Sequence, residues 1–269
     1  MITFRDVHVT YPTGTKGLDG VSLEIPDGEF VVVVGLSGAG KSTLVRTING
    51  LVPVTAGELE VNGRRVDGAS RRELRRLRAE VGMIFQSFNL VTRVSVLNNV
   101  LMGRLPHTST LATLVGAYGG ANKDIAFDAL DRVGIMEKAY TRASQLSGGQ
   151  QQRVAIARVL AQQAGVVLAD EPVASLDPPT ANAVMSDLRR VQRELGITTV
   201  VNLHFLDLAR SFADRIIGMR EGKVVFDGTA EQADDRVFEE IYGRSLRAGD
   251  VAAAAVSIEG QQGEPAAEA

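Results

Sequence analysis

Apolar and polar residues alternate at the start of the chain. Ile2, Phe4, Val7 and Val9 form one apolar set, and Val21, Leu23 and Ile25 form another before the turn Pro26-Asp27-Gly28. A period of two predicts strands with one buried face. Phe30–Val34 is apolar at every position, which suits a strand covered on both sides in a parallel sheet. A glycine-rich stretch follows, then a helix over about 41–51. Residues 59–61 and 64–66 read as a hairpin, because Asn62-Gly63 suits a two-residue turn of positive φ. Ser70 and Glu73 have capping-box spacing, which predicts a helix to about Arg78, and Val81–Phe85 reads as another buried strand.

From about 88 to 165 the period changes to that of a helix, as in Ile125, Ala129, Leu130 and Val133. Strand patterns return at Val166–Asp170, 198–203, 215–219 and 223–226, with a helix over about 179–195. Strand–helix–strand alternation implies an α/β fold with a parallel sheet covered by helices, and 88–165 reads as a helical insertion. The expected main domain covers 1–247. Residues 248–269 are rich in Ala, Gly, Glu and Gln and are expected to lack structure.

Composition narrows the function classes. The chain has 269 residues and a net charge of −3, so nothing global points to a nucleic-acid backbone. It has no cysteine, which removes disulfides, thiolate metal sites and a cysteine nucleophile. No stretch approaches the ~18–20 apolar residues of a membrane span. The N-terminus lacks the layout of a signal peptide. The expectation is a cytoplasmic chain that meets a membrane only through a partner. Arg71, Arg72, Arg75, Arg76 and Arg78 crowd one helix. They read as a solvated face, with a docking patch for a partner or acidic lipids as the minority reading.

Candidate chemistry begins after Val34. Gly35, Leu36, Ser37, Gly38, Ala39, Gly40, Lys41, Ser42 and Thr43 fit G-x-x-x-x-G-K-[ST], with a strand before and a helix after. Glycines let backbone N–H groups converge on a phosphate, and the helix turns its positive end toward it. Lys41 can reach the β- and γ-phosphates, and the Ser42 hydroxyl can ligate Mg²⁺. The strand Val166–Asp170 ends in two acids. Alternation sends Asp170 and Glu171 to different sides, which suits Asp170 to the metal's waters and Glu171 to the attacking water. Leu146, Ser147, Gly148, Gly149 and Gln150 precede a helix expected near Gln151. Spacing does not choose between an anion-binding terminus and an N-cap with a flexible turn. His204 ends a predicted strand, on the edge where open α/β sheets bind ligands. Gln86 ends another, and its amide can ligate Mg²⁺ or orient water. Tyr11 lies in an early loop; its ring suits stacking on adenine, and in isolation it reads as packing.

Taken in order, Tyr11, GLSGAGKST, Gln86, LSGGQ, VVLAD-Glu171, Ala174-Ser175-Leu176-Asp177 and His204 resemble the nucleotide-binding subunit of an ABC transporter over about 1–245. The resemblance implies a P-loop ATPase core with a mostly parallel sheet, an N-terminal antiparallel β subdomain and an inserted helical subdomain. It implies that ATP binds with Mg²⁺ at Ser42, Gln86 and Asp170, and that Glu171, His204 and Lys41 act on the γ-phosphate. Leu146 to Gln150 would meet the ATP of a second copy, Asp177 would couple the two sites, and Tyr11 would stack on the base. The implied assembly is a homodimer with two membrane permease subunits and an extracytoplasmic solute-binding protein, peripheral on the cytoplasmic face, without nucleic acid.

Several stretches are similar to the phosphonate-import branch. They are VGMIF-Gln86, Asn89-Leu90-Val91, Gly103-Arg104-Leu105 with His107-Thr108-Ser109-Thr110-Leu111, Ala139-Tyr140-Thr141-Arg142-Ala143, Asn202-Leu203-His204 with Asp207-Leu208-Ala209, and Ile217-Gly218. Asn202, Leu203 and Phe205 depart from the Thr-His-Asp/Glu pattern of many importers. Residues 105–120 have no equivalent in many relatives. Importers of other solutes such as phosphate or amino acids are the alternative. A nucleic-acid-linked ABC ATPase would carry long coiled-coil insertions or tandem halves, and this chain has one copy of each motif. A scaffold ATPase is a further alternative, told apart by whether a permease co-purifies.

Overall fold

In the computed structural model, residues 1–109 and 118–251 are described. Ten strands are present among them: β1 Ile2–Thr10, β2 Lys16–Ile25, β3 Phe30–Val34, β4 Ala56–Val61, β5 Arg64–Arg65, β6 Val81–Phe85, β7 Val166–Asp170, β8 Thr198–Asn202, β9 Arg215–Arg220 and β10 Lys223–Thr229. The helices are α1 Lys41–Ile48, α2 Arg71–Glu80, α3 Val96–Leu101, α4 Gly120–Arg132, α5 Gly148–Gln162, α6 Pro178–Leu195, α7 Leu206–Phe212, α8 Asp235–Tyr242 and α9 Ala248–Val251.

The strands form two sheets. One is antiparallel with order β2-β1-β4-β5; the other has order β10-β9-β3-β8-β7-β6. In the larger sheet β3 runs parallel to both β8 and β9, and β8, β7 and β6 continue in parallel. Only β10 is antiparallel there. The all-apolar β3 explains itself in this setting. Phe30, Val32 and Val34 belong to one core, with residues of α4, α5 and α6, while Val31 and Val33 belong to the other, with α1 and the antiparallel sheet. A strand whose side chains alternate between two dry faces favours apolar residues on both.

The hairpin forms as expected, with φ of +49° at Asn62 and +72° at Gly63. Between β6 and β7 lie α3, a 3-10 helix Met102–His107, α4 and α5, which form the helical insertion. The 3-10 helix occupies part of the segment 105–120; Thr110 and Leu111 lie outside the described residues. Helix α1 ends at Ile48, before the expected residue 51. Arg78 of α2 donates to the carbonyls of Asn49 (3.0 Å) and Gly50 (2.8 Å), so the carbonyls just beyond the helix find partners without another turn. One arginine of the basic helix therefore has a structural task. Arg71, Arg72, Arg75 and Arg76 are exposed. Helix α9 lies within the segment expected to lack structure, where Asp250 accepts from Arg244 at 2.7 and 2.9 Å. The rest of that segment, 252–269, is outside the described residues. No helix among the described residues is long and apolar enough to cross a membrane.

The capping box at α2 is present: Ser70 Oγ accepts from the Glu73 N–H, and Glu73 accepts from the Ser70 N–H at 2.7 Å. Ser70→Ala is expected to lower stability by about 1 kcal/mol, read as a shift in the urea midpoint at unchanged slope.

Candidate functional site

The C-terminal edge of the parallel sheet gathers the candidate residues. The loop after β3 delivers Lys41 at the first turn of α1. Gly40 sits at φ +101°, and a Cβ there would run into the Gly17 carbonyl oxygen, so only glycine lets the loop close onto β2. Lys41 is 4 % exposed, and its Nζ donates to the carbonyls of Gly35 (2.7 Å) and Leu36 (3.1 Å). Burial pushes its pKa down, opposed by the charges of Glu171 and Asp170. An ammonium has three hydrogens, so one remains for an anion above the loop.

Behind the loop, Asp170 ends β7 almost fully buried, at 3 % exposure. Its Oδ1 accepts from Ser42 Oγ at 2.8 Å and from Asn202 Nδ2 at 2.8 Å. Its Oδ2 accepts from Arg46 Nε at 2.8 Å and lies 2.7 Å from Arg46 Nη2. Sequence reasoning missed Arg46. The signal available was its place one turn after Ser42 on α1, four residues along and on the same helix face. Asn202 was noticed there only as a departure from the importer pattern.

Glu171 points elsewhere, and strand alternation is not the reason. It has left β7 and adopts φ +54°, a conformation rare for a residue with a side chain and frequent at functional sites. Its N–H donates to the Asn202 carbonyl at 3.2 Å. Its Oε1 lies 2.5 Å from His204 Nε2. The His204 carbonyl in turn accepts from Tyr242 Oη at 3.4 Å, and burial pushes the Tyr242 hydroxyl up to about 12.

These groups meet in a cleft of about 270 Å³ whose walls include Tyr11, Ser37, Gly38, Gly40, Lys41, Ser42, Thr43, Glu171 and His204. Tyr11 stands at its mouth, 36 % exposed, with its hydroxyl 2.9 Å from Thr43 Oγ1. That bond holds the polar end of the ring. Leu36 and Ala39 line an adjoining depression with Tyr242 and Met219. Gln86 is exposed one residue beyond Phe85, the register partner of Asp170, and is not part of the cleft lining.

The LSGGQ segment lies elsewhere. Its helix begins at Gly148, not near Gln151: Ser147 is the N-cap, and Ser147 and Gln150 form a capping box with bonds of 3.4 and 3.1 Å. The motif is thus itself the first turn of α5, because Ser and Gln three apart satisfy each other's backbone N–H groups. None of Leu146, Ser147, Gly148, Gly149 and Gln150 lines the cleft of Lys41. They pack instead beside the loop before α6. Gly148 faces Leu176, and a Cβ on Gly149 would run into the Thr180 methyl. Asp177 caps α6, accepting from the Thr180 N–H at 3.1 Å, and bonds with Thr180 hold its carboxyl below the usual range. One surface therefore joins the Ser147-Gly148-Gly149 turn to Asp177.

Among the described residues no group of three His, Asp or Glu side chains could hold a metal. The Ser42 hydroxyl and Asp170 carboxylate are hard oxygen donors, and the buried Asn202 Oδ1 of the side chain that binds both has no partner among the described residues. Such a set fits a magnesium ion that arrives with phosphates and keeps its waters, not a metal caged by protein alone.

A family model described as ABC transporter matches residues 18–174. Phosphonates import ATP-binding protein PhnC 3 of Halalkalibacterium halodurans is 58 % identical over 251 residues, covering 93 % of this chain and 97 % of its own. The PhnC protein of Bacillus anthracis is 55 % identical over 256 residues, covering 95 % of this chain and 100 % of its own. Among solved structures, a dimeric post-hydrolysis state of the ATP-binding cassette MJ0796, bound to ADP and Pi, matches with a TM-score of 0.73 at 35 % identity, covering 86 % of this chain and 99 % of that one. CbiO1 of Clostridium perfringens, part of the ABC transporter complex CbiONQ, matches with a TM-score of 0.76 at 30 % identity, covering 89 % and 93 %.

Proposed function

The chain belongs to the ABC transporter family, and from that premise we propose that it is the ATP-hydrolysing subunit of an importer for phosphonate or a related phosphorus oxyanion. The observation that carries the ATPase reading is the meeting of Lys41, Ser42, Glu171 and His204 in one cleft, on loops that follow three different parallel strands. The solute class rests on the relatives named for phosphonate import, which match nearly the whole chain.

In this reading the loop Gly35 to Thr43 and the start of α1 cradle the phosphates, and Lys41 neutralises the β- and γ-oxygens. Ser42 and Asp170 would hold magnesium, with Gln86 as the further candidate ligand. The ion would supply charge neutralisation to the phosphates. Glu171 takes a proton from the water that attacks the γ-phosphorus as its bond to ADP breaks. His204 Nε2, already against Glu171, fixes that carboxylate and reaches the γ-phosphate. Tyr11 stacks its ring on adenine.

The signature turn completes the site of a second copy. Ser147, Gly148 and Gly149 begin a helix whose positive end meets an anion, and this chain's own phosphate loop is elsewhere. Asp177, on the same surface, couples the two sites. The dimer sits on two permease subunits at the cytoplasmic face and works with an extracytoplasmic solute-binding protein, so its output is motion and the solute never touches this chain. Nucleic acid is expected not to stimulate its ATPase.

Uptake of labelled methylphosphonate, in cells making this chain with its permease and binding protein, is expected to disappear when the chain is deleted. Phosphonate uptake that persists while uptake of phosphate or an amino acid is lost would reassign the solute and keep the ATPase.

A further inference from the structure

Asn202, the last residue of β8, is fully buried between β3 and β7 and has no task in the ATPase reading above. Its Nδ2 donates to Asp170 Oδ1 at 2.8 Å and to Ser42 Oγ at 3.2 Å. Ser42 Oγ itself donates to the same Asp170 oxygen at 2.8 Å, so the three side chains close a ring of hydrogen bonds. The other half of the amide, Oδ1, is buried and meets no donor among the described residues. Arg46 occupies the far oxygen of Asp170 and so fixes which edge of the carboxylate faces Ser42 and Asn202.

Packing does not account for an amide at this position. The preceding strand residues Val200 and Val201 are buried apolar side chains, and a β-branched residue would suit the strand as well. Buried polar atoms are rarely left without partners, so an orphaned acceptor beside two metal-directed oxygens points to a donor that arrives with a ligand. A hydrated magnesium ion presents only O–H donors outward.

We propose that Asn202 is a positioning residue for the magnesium of Mg-ATP. Nδ2 sets the Ser42 hydroxyl against the Asp170 carboxylate, and Oδ1 accepts from a water that the ion carries. The inference rests on the Mg-ATP reading and extends it to a residue outside the phosphate loop and the acidic pair. Partners that orient the ligands of a metal typically change metal affinity by about 10- to 100-fold when removed.

The test compares the full chain with Asn202→Val and with the smaller Asn202→Ser, which suits any space that holds asparagine. ATP affinity is measured by calorimetry in EDTA and across a magnesium titration, with thermal melting as the check on folding. In the unmodified chain magnesium tightens ATP binding. In each folded variant the magnesium-dependent gain is expected to shrink about tenfold, while affinity in EDTA moves less than about twofold. The magnesium concentration for half-maximal ATPase is expected to rise by a similar factor. An unchanged magnesium dependence in either variant overturns the proposal, as does an equal loss of affinity with and without magnesium, which marks a merely structural role. If magnesium does not tighten ATP binding in the unmodified chain, the Mg-ATP reading itself fails first.

Discussion

Glu171→Gln is expected to lower ATP turnover by roughly 10³-fold, within the range that a positioned general base contributes. The exchange keeps size and shape and removes the ability to accept a proton. The bond to His204 survives, because an amide oxygen still accepts from Nε2–H, so the left-handed turn at residue 171 has no reason to unfold. ATP affinity should change only a few-fold, since in the proposed reading Lys41 and Ser42 hold the phosphates. A protein that binds ATP and cannot spend it should accumulate as a two-copy complex with nucleotide trapped at both clefts. Steady-state phosphate release and light scattering after size exclusion read the two effects. Turnover above a tenth of the parent rate would remove Glu171 from the role of base. A strictly monomeric ATP-bound variant, even with the membrane subunit supplied, would remove the signature turn from the partner's site.

Lys41→Met is expected to weaken ATP binding by roughly 100-fold, as truncating one partner of a desolvated charge pair costs about 3 kcal/mol. Methionine is chosen because Lys41 is buried along its stem; an unbranched apolar chain fills that space, whereas alanine would add a cavity. The two loop carbonyls that now accept from Nζ, those of Gly35 and Leu36, would lose their donor, so some loosening of the loop is part of the effect. Because burial already depresses the lysine's pKa, the ammonium is poorly solvated where it stands and gains more from a phosphate than an exposed lysine would. Binding of ATP in EDTA isolates this contribution from the metal. Affinity within threefold of the parent would mean that the phosphates do not lie against this ammonium.

Both variants act on residues that lie in contiguous motifs, and this is why they were legible from residue order alone. A phosphate loop needs a buried strand, glycines, a lysine and a helix start in immediate succession, and Phe30–Val34 through α1 supplies them over consecutive residues. The strand with its terminal acids, the Asn62-Gly63 hairpin and the capping box at Ser70 are equally local. Each is decided by neighbours within about four positions, the range over which backbone hydrogen bonds and side-chain caps operate. The helix start at Gly148 was local too. It was misplaced because glycine reads as a turn residue, while the reciprocal Ser147–Gln150 bonds are what begin the helix.

What residue order determined by itself, then, was the alternation of strands and helices, the two-faced burial of β3, and the contiguous motifs Gly35 to Thr43, Asp170-Glu171 and Ser147 to Gln150 from which the site is proposed. Tertiary structure alone decided that β3 lies between β8 and β9 and not beside β6. That order brings Asn202 and Ser42 to Asp170, with Arg46 on its far oxygen, and sets His204 against Glu171. It also seats the signature turn against the loop of Asp177, away from the cleft of Lys41. The physical reason is that pairing between strands depends on loop closure and on burial over the whole sheet. Residues tens to more than a hundred positions apart carry no local mark of meeting until the sheet is assembled.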